Sequence, residues 1–298
     1  MQNAKSIWSK WKRTPIGQRI ALTIIFIVFV VYSLTLLYPF LWAIINSLKT
    51  NREFFSSPFA LPTDWIFSNW ADAFTEIKVY GSSALVQTNF IEMFFNSIWF
   101  SLGASVLSVA VSTMTAYVVS KYEFRGRSFI YSVAIFIMII PIVGSLPATY
   151  KLYSQIGIRN SPLLLIVYTG GFGFNFVILY GFFKNVSWSY AEAAFIDGAN
   201  NLKVFLYIMI PQAIPCITSL FIIQLIGVWN DYMTPLLYLP DYATLSTGIY
   251  VFGQRMTNQS NYPVYFAGIL LSTIPILVCF ACFSETIMSN TVAGGLKG

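Results

Sequence analysis

Few residues of this 298-residue chain could carry catalytic chemistry. Its three cysteines are Cys216, Cys279 and Cys282, and the last two have the C-x-x-C spacing found in redox and metal sites. All three lie in apolar stretches without a basic neighbour to stabilise a thiolate, so we interpret them as small hydrophobic side chains. The sequence contains no histidine and no Gly-Lys pair, which excludes histidine triads, histidine metal sites and a P-loop. We therefore expect no catalytic residue, metal or cofactor in this chain, and any ATP must be hydrolysed by another chain.

The composition points to a lipid environment. Hydrophobic residues make up 57% of the chain and charged residues 9%, with a mean hydropathy of +0.69, whereas a soluble domain has about 25% charged residues. The net charge of +6 comes from basic residues between apolar runs, where they match anionic lipid headgroups better than nucleic acid. The chain is predicted to be an integral membrane protein that does not bind nucleic acid.

Six apolar stretches predict an all-α fold with six transmembrane helices. The segment 1–19 is basic and contains two tryptophans, so we expect it to lie as an amphipathic segment on the cytoplasmic headgroups. Residues 20–283 are expected to form one membrane domain, and 284–298 a cytoplasmic tail. The predicted spans are 20–47, 93–119, 129–150, 163–183, 214–239 and 264–283.

The basic residues also predict the orientation. With the N-terminus inside, the inner segments hold eleven Lys and Arg residues and the outer segments six. The first five basic residues account for the whole difference, and the short loop from Lys121 to Arg127 gives the best further support. Both termini are therefore predicted to be cytoplasmic.

The most informative polar stretch is 184–211, between the fourth and fifth predicted spans. Ser189 followed by Glu192 has the spacing of a capping box, which would start a helix. Gly198 would then provide a backbone hinge, and 199–210 predicts a second helix. Two short helices that meet at a glycine would form a cytoplasmic knob small enough to enter a groove on a partner.

This loop resembles the signature of the permease subunits of binding-protein-dependent ABC importers. That signature is Glu-Ala-Ala, three residues, Gly, nine residues, Ile, one residue and Leu-Pro. The sequence has Glu192-Ala193-Ala194, Gly198, Ile208 and Ile210-Pro211, with Ile in place of Leu. A proline that commonly opens the first helix in the family is replaced here by Ser or Trp.

Other short motifs narrow the resemblance to the second permease of the maltose-transporter type, in the carbohydrate-uptake branch. Each motif is weak alone, but their order and spacing agree with that branch over most of the chain. They are Asn46-Ser47-Leu48-Lys49, Pro58-Phe59-Ala60-Leu61-Pro62, Asn96-Ser97, Ala116-Tyr117, Phe124-Arg125-Gly126, Trp229-Asn230, Pro235-Leu236-Leu237 and Gly294-Gly295-Leu296-Lys297-Gly298.

The resemblance implies a transporter of the bacterial cytoplasmic membrane that works by alternating access. Its partners would be a homologous second permease, two ABC ATPase subunits that bind ATP and Mg, an extracytoplasmic solute-binding protein, and a sugar or oligosaccharide. The C-terminal Gly294, Gly295 and Lys297 would reach between the ATPases. The coupling loop would dock in an ATPase cleft, with Glu192, Ala193, Ala194, Asp197, Gly198, Ala199 and Pro211 as its functional residues.

Polar residues within the predicted spans are candidates for the substrate pathway, because such groups usually face a cavity or a partner helix. Asn230 and Asp231 are the first candidates, near the outer end of the fifth predicted span. Trp229 and Tyr232 beside them would either stack on a pyranose ring or anchor the span at the interface. Asp231 could equally be a solvated residue at the outer mouth. Further possible lining groups are Gln87, Asn89, Asn96, Asn175 and Gln224.

Two other functions remain open at this point. A secondary, ion-coupled transporter would usually show inverted repeats or an ionisable relay in its spans, and we find neither. A membrane enzyme would need a nucleophile, histidine or metal constellation. The prolines and glycines of the third and fourth predicted spans allow either helix bending during transport or close helix packing.

Overall fold

The computed structural model describes residues 15–83, 85–140, 144–256 and 260–293. Apart from one ribbon of two short antiparallel strands, β1 (Val79–Tyr80) and β2 (Gln87–Thr88), the regular structure in these residues is helical. In chain order the helices are α1 (Ile16–Ser47), α2 (Asn51–Ser56), α3 (Ser68–Glu76), α4 (Phe90–Lys121), α5 (Arg127–Ile139), α6 (Leu146–Gln155), a 3-10 helix (Pro162–Thr169), α7 (Phe174–Asn185), α8 (Ser189–Ile196), α9 (Asn201–Asn230), α10 (Met233–Tyr238), α11 (Leu245–Gln254) and α12 (Tyr262–Ala293).

The long helix α4 is the centre of the bundle and packs against α7, α9 and the 3-10 helix. A capping box fixes its start. The Asn89 side chain accepts a hydrogen bond from the Glu92 N–H at 3.0 Å, and the Glu92 carboxylate accepts one from the Asn89 N–H at 2.9 Å. These two bonds satisfy amides that the first turn of a helix leaves without partners.

The helical membrane architecture is confirmed. Within the residues that the structure describes, four helices are long and apolar enough to cross a membrane. They are α1, α4, α9 and the first 23 residues of α12, which end at Ser284. The 3-10 helix and α7 make a fifth span if they count together, although their axes differ by 47°. The helix α5 is apolar but has only 13 residues, fewer than the roughly 20 that a single crossing needs.

Three predicted spans differ from the structure because their glycines, prolines and polar residues interrupt the helix. In the predicted span 129–150, α5 ends at Ile139 and α6 begins at Leu146; Pro141 lies outside the described residues. The predicted span 163–183 is divided at Gly170–Gly173, where Gly171 has φ +67° and Gly173 φ +155°. The predicted span 214–239 ends at Asn230, since α10 is a separate short helix.

The two ends of α4 belong to different hydrophobic clusters. Phe90 and Met93, at its start, pack with α3, α11 and α12, whereas Ala116 and Tyr117, near its end, pack with α7, α8 and the start of α9. A helix of 32 residues is about 48 Å long at roughly 1.5 Å per residue. The loop 48–89 and the helix α8 therefore lie at opposite ends of the bundle.

The predicted motif Asn46-Ser47-Leu48-Lys49 forms a buried turn at the end of α1. The Asn69 amide donates to the carbonyls of Ser47 and Lys49 at 2.9 and 2.8 Å, and the Leu48 carbonyl accepts from the Ile66 N–H at 2.8 Å. Lys49 is fully buried, and its Nζ donates to the Ser57 carbonyl at 2.8 Å. Desolvation lowers the pKa of Lys49, against an opposing effect of the nearby Glu53.

Candidate functional site

The helix α8 contains the predicted Glu-Ala-Ala motif, but it starts differently from our expectation. Trp188 occupies the N-cap position, and no side chain caps the helix. The predicted capping box between Ser189 and Glu192 is absent because Ser189 lies inside the helix. Instead, the Ser187 hydroxyl accepts from the Ser189 N–H at 3.3 Å and pairs with the Ser189 hydroxyl at 2.7 Å.

The two faces of α8 have different roles. Ala191 and Ala194 are buried against the cluster at the end of α4. Glu192, Ala193 and Asp197 are exposed, and Ile196 is 87% exposed. Ala194 therefore holds the helix on the bundle, and Ile196, which was not among the predicted residues, is the main apolar group on the outer face. Its position, three residues after Ala193 on a helix, was the available signal.

Gly198 makes the turn after α8. It has φ +83°, and nothing lies within 4 Å of the position where a Cβ would be. The left-handed backbone conformation favours glycine because other L-residues crowd the following carbonyl oxygen there. The predicted hinge is thus a left-handed glycine turn, and the Ala199 N–H donates to the Ala194 carbonyl at 2.9 Å.

The second predicted helix does not end at Pro211. The Asn200 side chain accepts from the Lys203 N–H at 2.9 Å and caps α9, which then runs without a break from Asn201 to Asn230. Pro211 is tolerated because the preceding stretch Phe205–Met209 is a π-helix, whose wider turns change the hydrogen-bond pattern. One helix therefore joins the knob to the interior of the bundle.

A polar cavity of about 310 Å³ lies between α4, α9 and the loop that joins the 3-10 helix to α7. Its lining consists of hydroxyl and amide side chains, glycine backbone and apolar groups, without a charged side chain. Asn175, itself only 8% exposed, joins the three helices, since its amide donates to Ser108 Oγ at 3.3 Å and to Gln224 Oε1 at 3.2 Å. Such groups can exchange hydrogen bonds with an uncharged polar solute.

Gly171 brings the cavity loop close to α4. Its carbonyl accepts a hydrogen bond from the Thr115 hydroxyl at 2.8 Å. A Cβ at this position would lie 3.1 Å from Val111 Cγ1 and 3.2 Å from Thr115 Cγ2. The interpretation of this glycine as a close-packing residue therefore agrees with its geometry.

Two of the possible lining groups, Asn175 and Gln224, are in this cavity, and three are elsewhere. Asn89 caps α4, Asn96 donates to the Ala243 carbonyl at 3.1 Å, and Gln87 lies in strand β2. The Asn89 and Asn96 side chains thus take part in local structure, Gln87 is exposed, and none of the three lines this cavity.

The first-choice pathway residues lie outside the cavity, at the end of α9. Trp229 is buried and donates its indole N–H to the Ser272 carbonyl at 3.2 Å, and Tyr232 stacks on Tyr250 with ring centroids 4.3 Å apart. Asp231 accepts from the N–H groups of Met233 and Thr234, both at 3.0 Å, and so caps α10. Asn230 is exposed. The Trp229 ring is thus largely buried, and one face of the half-buried Tyr232 ring is covered by Tyr250.

A second polar cluster joins three loops at the opposite end of the bundle from α8. The Asp241 carboxylate accepts from the Ser82 N–H at 2.6 Å, from the Ser82 hydroxyl and from the Asn160 amide at 2.5 Å. The pKa of Asp241 is lowered, chiefly by the Ser82 N–H and also by the Asn160 and Ser82 side chains and Arg159, against opposing desolvation. The carboxylate therefore fixes the ribbon relative to the loops at Asn160 and after α10.

The chain matches one family model, described as the inner membrane component of binding-protein-dependent transport systems, over residues 108–285. That match covers more than half of the chain, including α8, Gly198 and the polar cavity. The chain belongs to this family. It is therefore a multi-pass inner-membrane permease, a transport component and not an enzyme.

Relatives with this permease architecture align over nearly their whole length. The permease is 28% identical to the "Diacetylchitobiose uptake system permease protein NgcG" of Streptomyces coelicolor, over 90% of this chain and 86% of that protein. It is also 28% identical to the "Maltose/maltodextrin transport system permease protein MalG" of Photorhabdus laumondii, over 88% and 91% of the two chains. The resemblance to the sugar-uptake branch is thus confirmed.

A solved structure confirms the fold. A chain of a bacterial ABC transporter that imports the acidic polysaccharide alginate superposes with a TM-score of 0.74 at 22% identity, over 91% of this chain and 98% of that one. The predicted tail residues Gly294, Gly295 and Lys297 lie outside the described residues, as does the segment 1–14.

Proposed function

We propose that this permease is one of two membrane subunits of an ATP-driven importer that moves a sugar or oligosaccharide by alternating access. Its ATP would be bound and hydrolysed by two partner ATPases, and a binding protein would deliver the solute on the outer side. We further propose six crossings with both termini in the cytoplasm, with α5 and α6 together supplying the third. The solutes in the names of the two relatives, diacetylchitobiose and maltodextrin, support a sugar.

The observation that carries this proposal is the exposed face of α8. Four residues project from the bundle on this face: Glu192, Ala193, Ile196 and Asp197. Ile196 is 87% exposed at the tip of a short helix, and an apolar side chain in such a position is stabilised when a partner protein buries it. Full burial of such a side chain contributes about 1.5–3 kcal/mol. We propose that this face docks on an ATPase subunit, with the Gly198 turn fixing its angle to α9.

The polar cavity supports a passage for a hydroxyl-rich solute. Its hydroxyl and amide groups match the hydrogen-bonding groups of a sugar, and Gln224 lies six residues, about 9 Å, along α9 from the exposed Asn230. We propose that Ser108, Asn175 and Gln224 contact the passing solute, while Asn230 and Asp231 stay candidates for the outer mouth.

A matched pair of substitutions tests the docking. Ile196→Asp should abolish copurification of the ATPase subunits, because a carboxylate would be buried in the interface. Ile156→Asp changes the same residue type at a 57% exposed position near the opposite end of the bundle, and should leave copurification intact. ATPase recovery that is equal for both variants would refute the docking face. Uptake that survives vanadate and stops with an ionophore would refute the ATP-driven function itself.

A further inference from the structure

The last residue of α4, Lys121, and its C-cap residue, Tyr122, hold the two ends of the segment that contains α8. Lys121 donates from Nζ to the carbonyl of Val186, the C-cap residue of α7, where the segment begins. Tyr122 donates from its hydroxyl to Oδ1 of Asn201 at 3.2 Å, where α9 begins. These hydrogen bonds connect residues that are 65 and 79 positions apart in the sequence. Two neighbouring side chains thus close the base of the segment.

A set of aromatic contacts continues from these bonds into the bundle. The Tyr122 ring packs edge-on against Trp188, the N-cap residue of α8, at 5.9 Å and against Tyr117 at 5.6 Å. Tyr117 also packs against Phe205, the first residue of the π-helix, at 4.8 Å and against Phe183 of α7 at 5.5 Å. Tyr117 is 3% exposed and Phe205 8%. Rings packed at interior density pass on a displacement, since there is little free space to absorb it.

The same helix reaches the polar cavity. Ser112 and Ser108 line the cavity five and nine residues before Tyr117, which is about 7.5 and 13.5 Å along α4. The π-helix of α9 begins at Phe205, directly beside Tyr117, and π turns within helices are frequently found at functional sites. A rotation of α8 would therefore act on α4 and α9 at one point and reach the cavity along both helices.

We propose that Tyr117, Lys121 and Tyr122 are positioning residues that transmit movement of α8 to the cavity through α4. This inference rests on the proposed function, because it requires ATPase subunits that move α8. A purely structural role would require only that the three side chains stabilise the fold. The two roles differ in what happens when the bonds are removed and the assembly is intact.

The reporter for the test is a cysteine in the cavity, Ser108→Cys. The complete importer is labelled with the small anionic thiol reagent MTSES, first without nucleotide and then with ATP and vanadate. The chain without Ser108→Cys gives the background from its three native cysteines. The measured quantity is the ratio of the two labelling rates, which needs no knowledge of the transported solute.

Lys121→Met removes the hydrogen bond to Val186 at the base of the segment. Tyr122→Phe removes the hydrogen bond to Asn201 together with the contact between the Tyr122 and Tyr117 hydroxyls at 3.4 Å. We expect both variants to retain their ATPase subunits and ATP hydrolysis. The ratio of the two labelling rates should fall towards one, by about 2- to 10-fold, which is the effect of losing a typical hydrogen bond. The matched controls are Tyr131→Phe, in a ring stack with Tyr180 at 4.3 Å, and Arg125→Met, at an exposed position in the loop that follows Lys121. Both controls should retain the parental ratio.

A substitution of Asn201, which accepts the hydrogen bond from Tyr122, controls for misfolding caused by the change at Tyr122. Asn201 is exposed, so Asn201→Ala should fold normally and lower the labelling ratio through loss of the same bond to Tyr122. The double variant should show no larger effect than Tyr122→Phe alone. The inference alone would be overturned if Tyr122→Phe and Lys121→Met kept a labelling ratio as high as that of the controls. It would also be overturned if the parent protein had a labelling ratio of one. A parent that copurifies with no ATPase would overturn both the inference and the proposed function.

Discussion

Gly198 offers a direct way to separate the docking role of α8 from its contribution to stability. Its φ of +83° would force an alanine into the left-handed region, at a cost of about 1–2 kcal/mol. A Cβ would have no neighbour within 4 Å, so the whole cost of Gly198→Ala comes from the backbone and none from steric overlap. A cost of 1–2 kcal/mol lowers the fraction of molecules with this turn by roughly 5- to 30-fold.

A second glycine provides the control for this substitution. Gly126 has φ +95°, and a Cβ there would also have nothing within 4 Å, but this glycine lies in the loop between α4 and α5. Gly126→Ala and Gly198→Ala should therefore lower the thermal stability of the permease by similar amounts. Only Gly198→Ala should weaken ATPase binding, by up to about 5- to 30-fold, because α8 is then held at the wrong angle.

The measurement is a titration of the permease complex in lipid nanodiscs with its purified ATPase subunits, alongside thermal unfolding of each variant. Gly198→Asn should recover part of the binding, since asparagine enters the left-handed region more easily than alanine. Equal ATPase affinities for the two alanine variants would refute the reasoning. So would an asparagine variant that binds no better than the alanine variant, because backbone conformation would then not be the cause.

Three further predictions concern the structural elements around the site. Asp241→Asn should lower the free energy of unfolding by about 1–2 kcal/mol through the lost charge-assisted hydrogen bonds. Because the pKa of Asp241 is lowered in the folded protein, chiefly by the Ser82 N–H, the wild-type contribution should persist at neutral pH and disappear only as the pH falls through that lowered pKa. Thermal melts of the variant should lack this pH dependence. Asn89→Ala should cost about 1 kcal/mol in the same melts by removing the α4 capping box, and an unchanged melting temperature would contradict this. Gly171→Val should reduce both the uptake of a transported sugar and the thermal stability, because Val111 and Thr115 leave little space for a side chain there. Gly181→Ala, at a position in α7 with nothing within 4 Å of the added Cβ, should change neither quantity by a comparable amount.

The sequence predicted the class of protein because composition and spacing act locally. Nine per cent charged residues cannot cover a water-facing surface, and this alone indicates a bilayer. The spacing from Glu192 to Pro211 predicted a helix and a glycine turn, and α8 and Gly198 provide both. The wrong details, the capping box and the end of the second helix at Pro211, arose because the start of α8 and the π-helix depend on contacts with α4.

The same limit applies to the spans. Apolar length predicted six crossings, but a bent pair such as the 3-10 helix and α7 is stabilised by Gly171 against Thr115, a contact between residues 56 positions apart. Hydropathy contains no information about such a partner. The exposed apolar surface of α1 likewise fits lipid or another subunit, and composition does not distinguish between them.

The order of amino acids is enough to establish that this chain is a membrane permease with a signature loop and no nucleotide-binding motif. The packed fold was needed to show which residues share a cavity, since Ser108, Asn175 and Gln224 come from three helices. It also showed that Trp229 and Tyr232 lie outside this cavity, where Trp229 donates to the Ser272 carbonyl and Tyr232 stacks on Tyr250. Helix periodicity identifies the apolar face of each helix, while the neighbour that covers this face is chosen by packing over the whole chain.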